Sequence, residues 1–168
     1  MRRKSILFIL FGLLGCLLYQ SCKKDDQDSI EALLARGAWE VASIQVFNYI
    51  GDTQQSTDTL NTDCDLKQIF TFKSDKTCTY TNFDCKEQTA TGNWSLSRDK
   101  LYLLSGIVCQ DTTEAGSVKP FENTKIINLG QYSLVLQTGD LQSNYPPTQR
   151  RRIVQYGFIR QKKSSPAI

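Results

Sequence analysis

Residues 66–83 read LKQIFTFKSDKTCTYTNF, and this stretch has the pattern of a β-hairpin. Apolar and aromatic residues alternate with polar ones on both sides of the polar pair Ser74-Asp75. A period of two places one set of side chains on one face of a strand, and a polar break with Asp favours a tight turn. The stretch therefore predicts two antiparallel strands, over residues 66–73 and 76–83.

The same alternation recurs along most of the chain. We predict six further strands, over residues 38–50, 90–97, 100–105, 121–129, 132–138 and 150–161. Because no helical pattern of useful length separates them, consecutive strands are expected to pair antiparallel. The predicted fold class is therefore all-β, an eight-stranded antiparallel up-and-down β-barrel.

One short helix is predicted before the first strand, over residues 28–37. Ile30, Leu33 and Leu34 share one face at helical spacing, and Gly37 favours a C-terminal stop. The helix is therefore expected at the end of the barrel where the first strand begins.

The predicted connections alternate in length. Those after strands two, four and six are short, whereas three of the others, residues 51–65, 106–119 and 139–149, are long and polar. In an up-and-down barrel, alternate connections lie at opposite ends. One end, here called the floor, is thus expected to have tight turns, and the other, here called the mouth, to have long loops.

The N-terminus has the pattern of an export signal. Arg2, Arg3 and Lys4 precede an apolar run over residues 6–18 that is too short to cross a bilayer core of about 30 Å. These three basic residues account for the whole net charge of +3. The rest of the chain is balanced, so we expect no nucleic-acid partner.

Two cysteines are candidates for lipid attachment. Ser21-Cys22-Lys23-Lys24 resembles the cleavage site of a bacterial lipoprotein, in which the Cys receives acyl chains such as palmitate. Cys16 follows Leu-Leu-Gly and resembles the standard motif more closely, but cleavage there leaves an apolar mature terminus. We favour Cys22 and keep Cys16 as the alternative.

The export pattern predicts the organisation and location of the chain. The segments are a lipoprotein signal peptide (1–21), a lipidated tether (22–28), a barrel domain (29–163) and a tail (164–168). The resemblance implies an exported protein that is anchored by lipid to the outer membrane, with exposure at the cell surface as a further expectation.

The remaining cysteines predict a disulfide at the mouth. An exported chain meets an oxidising compartment, and no Cys-x-x-Cys pair indicates zinc. If the hairpin turn is centred on Ser74-Asp75, Phe72 faces Thr77 and Cys64 faces Cys85, within disulfide reach. We therefore predict a Cys64–Cys85 bond.

Two cysteines are left over by this pairing. Cys109 lies in a predicted mouth loop, so a Cys85–Cys109 bond is the main alternative. Cys78 follows the floor turn, and strand geometry predicts about 20 Å between it and Cys109. We therefore expect Cys78 and Cys109 not to pair with each other.

The composition argues against an enzyme. The chain has no His, which excludes Ser-His-Asp and Cys-His catalysis and all His-ligated metals. The mouth carboxylates Asp63, Asp65, Asp84 and Asp111 lack the spacing of a calcium loop. No enzyme activity, cofactor or metal is predicted.

Several motifs, in order along residues 29–161, resemble the lipocalin-like domains of Gram-negative cell-surface lipoproteins. They are Gly37-Ala38-Trp39, Cys64, Phe70-Thr71-Phe72, Asp75-Lys76-Thr77, Cys85 and Gly92-Asn93-Trp94-Ser95-Leu96, with Lys76 in place of the usual turn glycine. In lipocalins an Arg from the end of the barrel covers a Trp near the floor. The resemblance therefore implies that Arg160 lies over Trp39.

Two functions are open at this point. The first is the binding of a small, largely apolar ligand, since an eight-stranded barrel is just wide enough for one. The residues predicted to line its core or cavity are Phe70, Phe72, Trp94, Leu96 and Tyr156. Arg152 shares the face of Tyr156 at the mouth and could meet an anionic ligand there, but a solvated position at the rim is favoured. The second is a non-enzymatic surface module that contacts a protein or glycan through the long loops.

Overall fold

A computed structural model of the chain describes residues 25–61, 63–111 and 116–162, with side chains from Ile30 onward. Within these ranges, no helix has the length and apolar character that a bilayer crossing requires. The predicted signal peptide, the candidates Cys16 and Cys22, and the tail lie outside the described residues.

The described elements are one helix, eleven strands and a short 3-10 turn. In chain order they are α1 (Asp25–Ala35), β1 (Ala38–Ile50), β2 (Thr53–Leu60), β3 (Ile69–Phe72), β4 (Thr77–Thr81), the 3-10 turn (Phe83–Cys85), β5 (Thr89–Leu96), β6 (Tyr102–Ser105), β7 (Cys109–Gln110), β8 (Ser117–Val118), β9 (Thr124–Leu129), β10 (Ser133–Gly139) and β11 (Arg150–Arg160). The helix covers residues 25–28, which were predicted as tether.

Eight of these strands form the barrel. They are β1, β3, β4, β5, β6, β9, β10 and β11; neighbours in this order pair antiparallel, and β11 pairs with β1 to close the ring. Each lies within or close to one of the eight predicted strands. The fold prediction is therefore confirmed.

Strand β2 was predicted as part of a mouth loop. It pairs with the second half of β1, from Ile44 to Ile50, while β3 pairs only with Ala38 to Glu40. Every residue of β2 is exposed, so its sequence has no buried face to produce an apolar alternation. The end of β1, from Asn48 to Ile50, and the start of β11, from Arg150 to Arg152, extend past the residues that β10 pairs with, and β2 lies at their edge.

The hairpin of β3 and β4 has a register one residue away from the predicted one. Phe72 faces Cys78, not Thr77. Lys76 adopts a φ of 69°. The backbone N–H of Lys73 donates to the carbonyl of Thr77, and the carbonyl of Lys73 accepts a hydrogen bond from the N–H of Lys76. The turn therefore takes one residue more than was predicted, which is the usual form of a hairpin turn that ends in a left-handed residue.

Helix α1 covers the floor. Leu34 is fully buried against the barrel core, and its carbonyl accepts a hydrogen bond of 2.9 Å from Trp39 Nε1. Glu31 forms an ion pair of 2.5 Å with Lys76 in the β3–β4 turn. The floor is thus closed by the helix as well as by tight turns.

Candidate functional site

The predicted contact between Trp39 and Arg160 is present at the floor. Trp39 is fully buried, and the guanidinium carbon of Arg160 lies 4.2 Å from the centroid of its ring. Arg160 also donates hydrogen bonds to the carbonyls of Leu33 and Gln131. These hydrogen bonds hold helix α1 and the β9–β10 turn to the barrel. The contact between Trp39 and Arg160 therefore has a structural role.

Aromatic rings occupy the interior. Phe70 lies 4.1 Å from Phe72, 4.7 Å from Phe121 and 5.1 Å from Tyr80, measured between ring centroids. Tyr156 lies 5.1 Å from Phe121. These are contact distances between aromatic side chains. Rings contributed by several strands therefore fill the centre of the barrel.

The residues that were predicted to line a cavity lie in the core or against it. Phe70, Phe72, Trp94 and Tyr156 are buried, and Leu96 is partly buried against the same core. Trp94 packs at 5.5 Å from Phe72 at the floor end. These residues pack against one another as a core.

The buried tyrosine hydroxyls and the Cys109 thiol of the interior are uncharged at neutral pH. Burial raises the pKa of the Tyr80 and Tyr156 hydroxyls well above the usual range, and it raises the pKa of the Cys109 thiol to about 12. Tyr80 donates a hydrogen bond of 3.4 Å to Gln68 Oε1. The core therefore offers no thiolate or phenolate for nucleophilic chemistry at neutral pH.

The predicted Cys64–Cys85 disulfide is confirmed. The two Cα atoms lie 5.7 Å apart, and the bond joins the segment before β3 to the 3-10 turn after β4. This pairing excludes the alternative of a Cys85–Cys109 bond. The predicted disulfide is correct although the predicted register of the β3–β4 hairpin was wrong. Both cysteines lie beyond the residues that pair in this hairpin, so the disulfide does not depend on that register.

Cys78 and Cys109 are unpaired, but the predicted separation of about 20 Å is wrong. Both thiols are fully buried in one core, and the charge of Cys78 contributes to the raised pKa of Cys109. The reason is the path of residues 105–109. Gly106 donates a backbone hydrogen bond to Asn93, so this segment continues along β5 and does not leave as a free mouth loop.

A groove with a volume of about 470 Å³ lies at the mouth, outside the interior. Arg150, Arg151 and Arg152 of β11 line it together with Tyr49 of β1 and Asp140, which follows β10. Asp140 Oδ2 accepts a hydrogen bond of 2.8 Å from the backbone N–H of Arg152. The groove forms where β1 and β11 extend past the barrel.

The sequence left two positions open for Arg152, a lean into the barrel cavity and the favoured solvated rim, and the structure places it at the rim. Its side chain is exposed, although Val154 and Tyr156, which follow on the same strand, are buried. Arg152 pairs with Asn48 near the end of β1, beyond the aromatic core. The residue therefore lines a surface groove.

Arg151 is held in place by two tyrosines. Its guanidinium carbon lies 3.6 Å from the Tyr145 ring centroid and 5.5 Å from that of Tyr49. It also donates hydrogen bonds to the carbonyls of Gly51 and Asp140. The ring stacking gives this arginine a defined position at the groove.

The groove arginines lack acidic partners among the described residues. The ion pairs found there belong to Lys67, Lys76 and Lys119. Among the described residues, there is also no cluster of three Asp, Glu or Cys side chains that could hold a metal ion. With three arginines and one carboxylate, that of Asp140, the groove presents net positive charge, and its neutral polar contacts come from Asn48, Tyr49 and Gln55.

The arginine run was predictable from the sequence, but the residues that surround it in the groove were not. Tyr145 lies in a loop whose residues show no periodic pattern, and Gln55 belongs to the unrecognised strand β2. The alternation of β1 indicated that Tyr49 is a strand residue, but it did not indicate that Tyr49 contacts Arg151.

The comparison with known families agrees with this architecture. The lipocalin-like domain family matches residues 36–136, which is more than half of the chain, and the protein therefore belongs to that family. The family is generally non-enzymatic, and its barrel is a fold that supports ligand binding. No curated protein and no solved structure gives a significant match.

Proposed function

We propose that this protein is a cell-envelope lipoprotein whose lipocalin-like domain is a non-enzymatic binding module. In this proposal a lipid on Cys22, or on Cys16 as the alternative, anchors the chain, and a partner binds at the mouth. The order of basic segment, apolar run, Cys and polar tether supports the anchoring.

The mouth groove carries this proposal. Three arginines that form no ion pair in the described residues line a groove of about 470 Å³ together with a single carboxylate, that of Asp140. A guanidinium presents N–H donors in a planar fork that matches carboxylate, phosphate and sulfate groups. We therefore infer that the partner, whether a small molecule, protein or glycan, presents an anionic group here.

A small apolar ligand inside the barrel is the second candidate function. The family fold favours it, but ring centroids 4.1–5.1 Å apart leave Phe70 in contact with three other rings. A ligand would have to displace these rings and lose their packing. Native mass spectrometry of protein from its own host tests this candidate, because a tightly held apolar molecule would add its mass.

The mouth proposal is tested by titrating the full-length protein in detergent with citrate and with inorganic phosphate. Replacing Arg150 and Arg152 together by Gln should weaken binding about tenfold or more, because charge-assisted hydrogen bonds are lost. Arg36→Gln with Arg98→Gln removes the same charge at the floor and is the matched control. Equal affinity of the two double variants would refute the groove as the anion site.

A further inference from the structure

The three groove arginines differ in what they contact within the protein. The guanidinium of Arg151 stacks on Tyr145 and donates hydrogen bonds to two backbone carbonyls. The side chains of Arg150 and Arg152 are exposed, and within the described residues they form neither a hydrogen bond nor an ion pair. Two of the three guanidinium groups therefore have all their N–H donors available to a ligand.

The two available arginines lie on the same face of β11. Successive side chains of a strand point to opposite faces, so Arg150 and Arg152 point one way and Arg151 points the other way. The residues directly opposite them on β1 are Ile50 and Asn48. Residues two positions apart in a strand are separated by about 7 Å. One face therefore carries two cationic side chains whose Cα atoms are about this distance apart.

The carboxylates near the groove accept hydrogen bonds from uncharged donors. Asp140 Oδ2 accepts one from a backbone N–H, and Asp58 Oδ2 accepts one of 2.9 Å from Asn48 Nδ2. Asp52 accepts a hydrogen bond from the Tyr145 hydroxyl. Of these three carboxylates, that of Asp140 lines the groove, so three arginines stand against one carboxylate. Two positive charges are left for a ligand to balance.

The size of the groove favours a small molecule. Its volume of about 470 Å³ lies within the range of about 300–1,000 Å³ that is typical of small-ligand sites. Ile50, which is 39% exposed, lies opposite Arg150 and adds an apolar surface to the lining. A short aliphatic chain can therefore contact Ile50 while charged groups at its two ends meet the arginines.

We propose that the mouth groove binds a compact dicarboxylate, with one carboxylate on Arg150 and the other on Arg152. The inference rests on the proposed anion site at the mouth and names the class of its ligand. Each guanidinium presents a planar fork of N–H groups that matches the two oxygens of a carboxylate. Arg151, which the stacking on Tyr145 holds in place, adds a fixed positive charge beside them.

The test titrates the full-length protein in detergent with the linear dicarboxylates from malonate to suberate. Neutral pH keeps both carboxyl groups ionised, and a constant ionic strength removes differences in screening. Each dicarboxylate is compared with the monocarboxylate that has the same number of carbon atoms, and sulfate serves as a dianion whose charge lies on a single group. Chemical-shift changes of the backbone amides measure each dissociation constant.

We expect the affinity to pass through a maximum as the dicarboxylate lengthens. At this maximum it should exceed the affinity for the matched monocarboxylate and for sulfate about threefold or more, because a second charge-assisted contact is added. Arg150→Gln and Arg152→Gln should each lower the affinity for the best dicarboxylate to that for its monocarboxylate. Arg98→Gln, which removes one exposed charge at the floor, is the matched control and should preserve the difference.

The failure of the ligand class and the failure of the anion site give different results. Equal binding of mono- and dicarboxylates, lost when Arg150 and Arg152 are both replaced by Gln, would overturn the dicarboxylate and leave the anion site intact. Tighter binding of sulfate than of every dicarboxylate, or a dicarboxylate preference that survives in both single variants, would also overturn it. If the double variant binds every anion as well as Arg98→Gln does, both the groove site and its ligand class are refuted.

Discussion

Arg160 lies directly opposite Trp39 in the pairing of β11 with β1, and its guanidinium covers the indole ring at 4.2 Å. The two residues are far apart in the chain, and their contact joins the last barrel strand to the first. The same arginine donates to the carbonyl of Leu33 in α1. The pair therefore couples barrel closure to the position of the helix.

Replacing Trp39 by Ala should lower the free energy of unfolding by about 3–5 kcal/mol, because a fully buried ring is lost. Arg160→Ala should lower it less, and a double-mutant cycle should give a coupling of about 0.5–2 kcal/mol. Urea unfolding followed by circular dichroism measures both. A Trp39→Ala protein as stable as the wild type would contradict the floor contact.

Removing the disulfide should destabilise the protein. The Cys64–Cys85 bond closes a loop with a sequence separation of 21, so Cys64→Ala with Cys85→Ala should cost about 3 kcal/mol in unfolding free energy. Non-reducing peptide mapping of the wild type should join the peptides that contain these two residues. A peptide pair joining Cys78 to Cys109 would be incompatible with the described core.

Stability should fall at alkaline pH through the buried thiols. Burial raises the pKa of Cys109 to about 12, whereas the thiol of a cysteine in an unfolded chain has a pKa of about 8.5. Above that lower value the unfolded chain loses a proton that the folded chain keeps, so the stability contribution of this group declines as the pH rises. The slope reaches about 1.4 kcal/mol per pH unit for one thiol.

Urea unfolding of wild type and Cys109→Ala between about pH 7 and pH 10 measures this effect. The variant should show a shallower decline with pH. Identical slopes would mean that Cys109 is accessible to solvent in the folded protein.

The mouth loop after β10 should depend on Arg151. Arg151→Ala removes the cation that Tyr145 stacks on at 3.6 Å, and with it the hydrogen bonds to Gly51 and Asp140. Amide hydrogen exchange over residues 140–149 should become faster, while the floor turns remain unchanged. Tyr132→Ala is the control, since its exposed side chain has no such role. Unchanged exchange near Tyr145 would show that the stacking does not order the loop.

The eight barrel strands were predictable because each buries one face. Alternating residues such as Phe70 and Phe72 have a polar residue between them, and the local period alone identifies such a strand. Strand β2 has no buried face, so nothing in its composition separates it from a polar loop. The register of the β3–β4 hairpin was missed for a different reason, since it depends on the left-handed backbone of Lys76.

The candidate site was predictable only in part. The run Arg150 to Arg152 is visible in the sequence, but alternation alone left Arg152 open between the interior and the rim. It could not decide because a strand can extend past the body that buries it, and the length of β11 relative to its neighbours is a property of the whole barrel. Tyr145 reaches Arg151 across a loop whose path no local pattern specifies.

The sequence by itself determined the all-β class, the closing strand pair, the floor contact of Trp39 with Arg160 and the Cys64–Cys85 bond. These features follow from short-range alternation, from the family resemblance and from chain order. The tertiary structure decided the ring packing in the interior, the shared core of Cys78 and Cys109, and the groove that the three arginines of β11 line together with Tyr49. Each of these depends on how segments distant in the chain approach one another, and that approach is set by packing of the whole barrel and not by any local period.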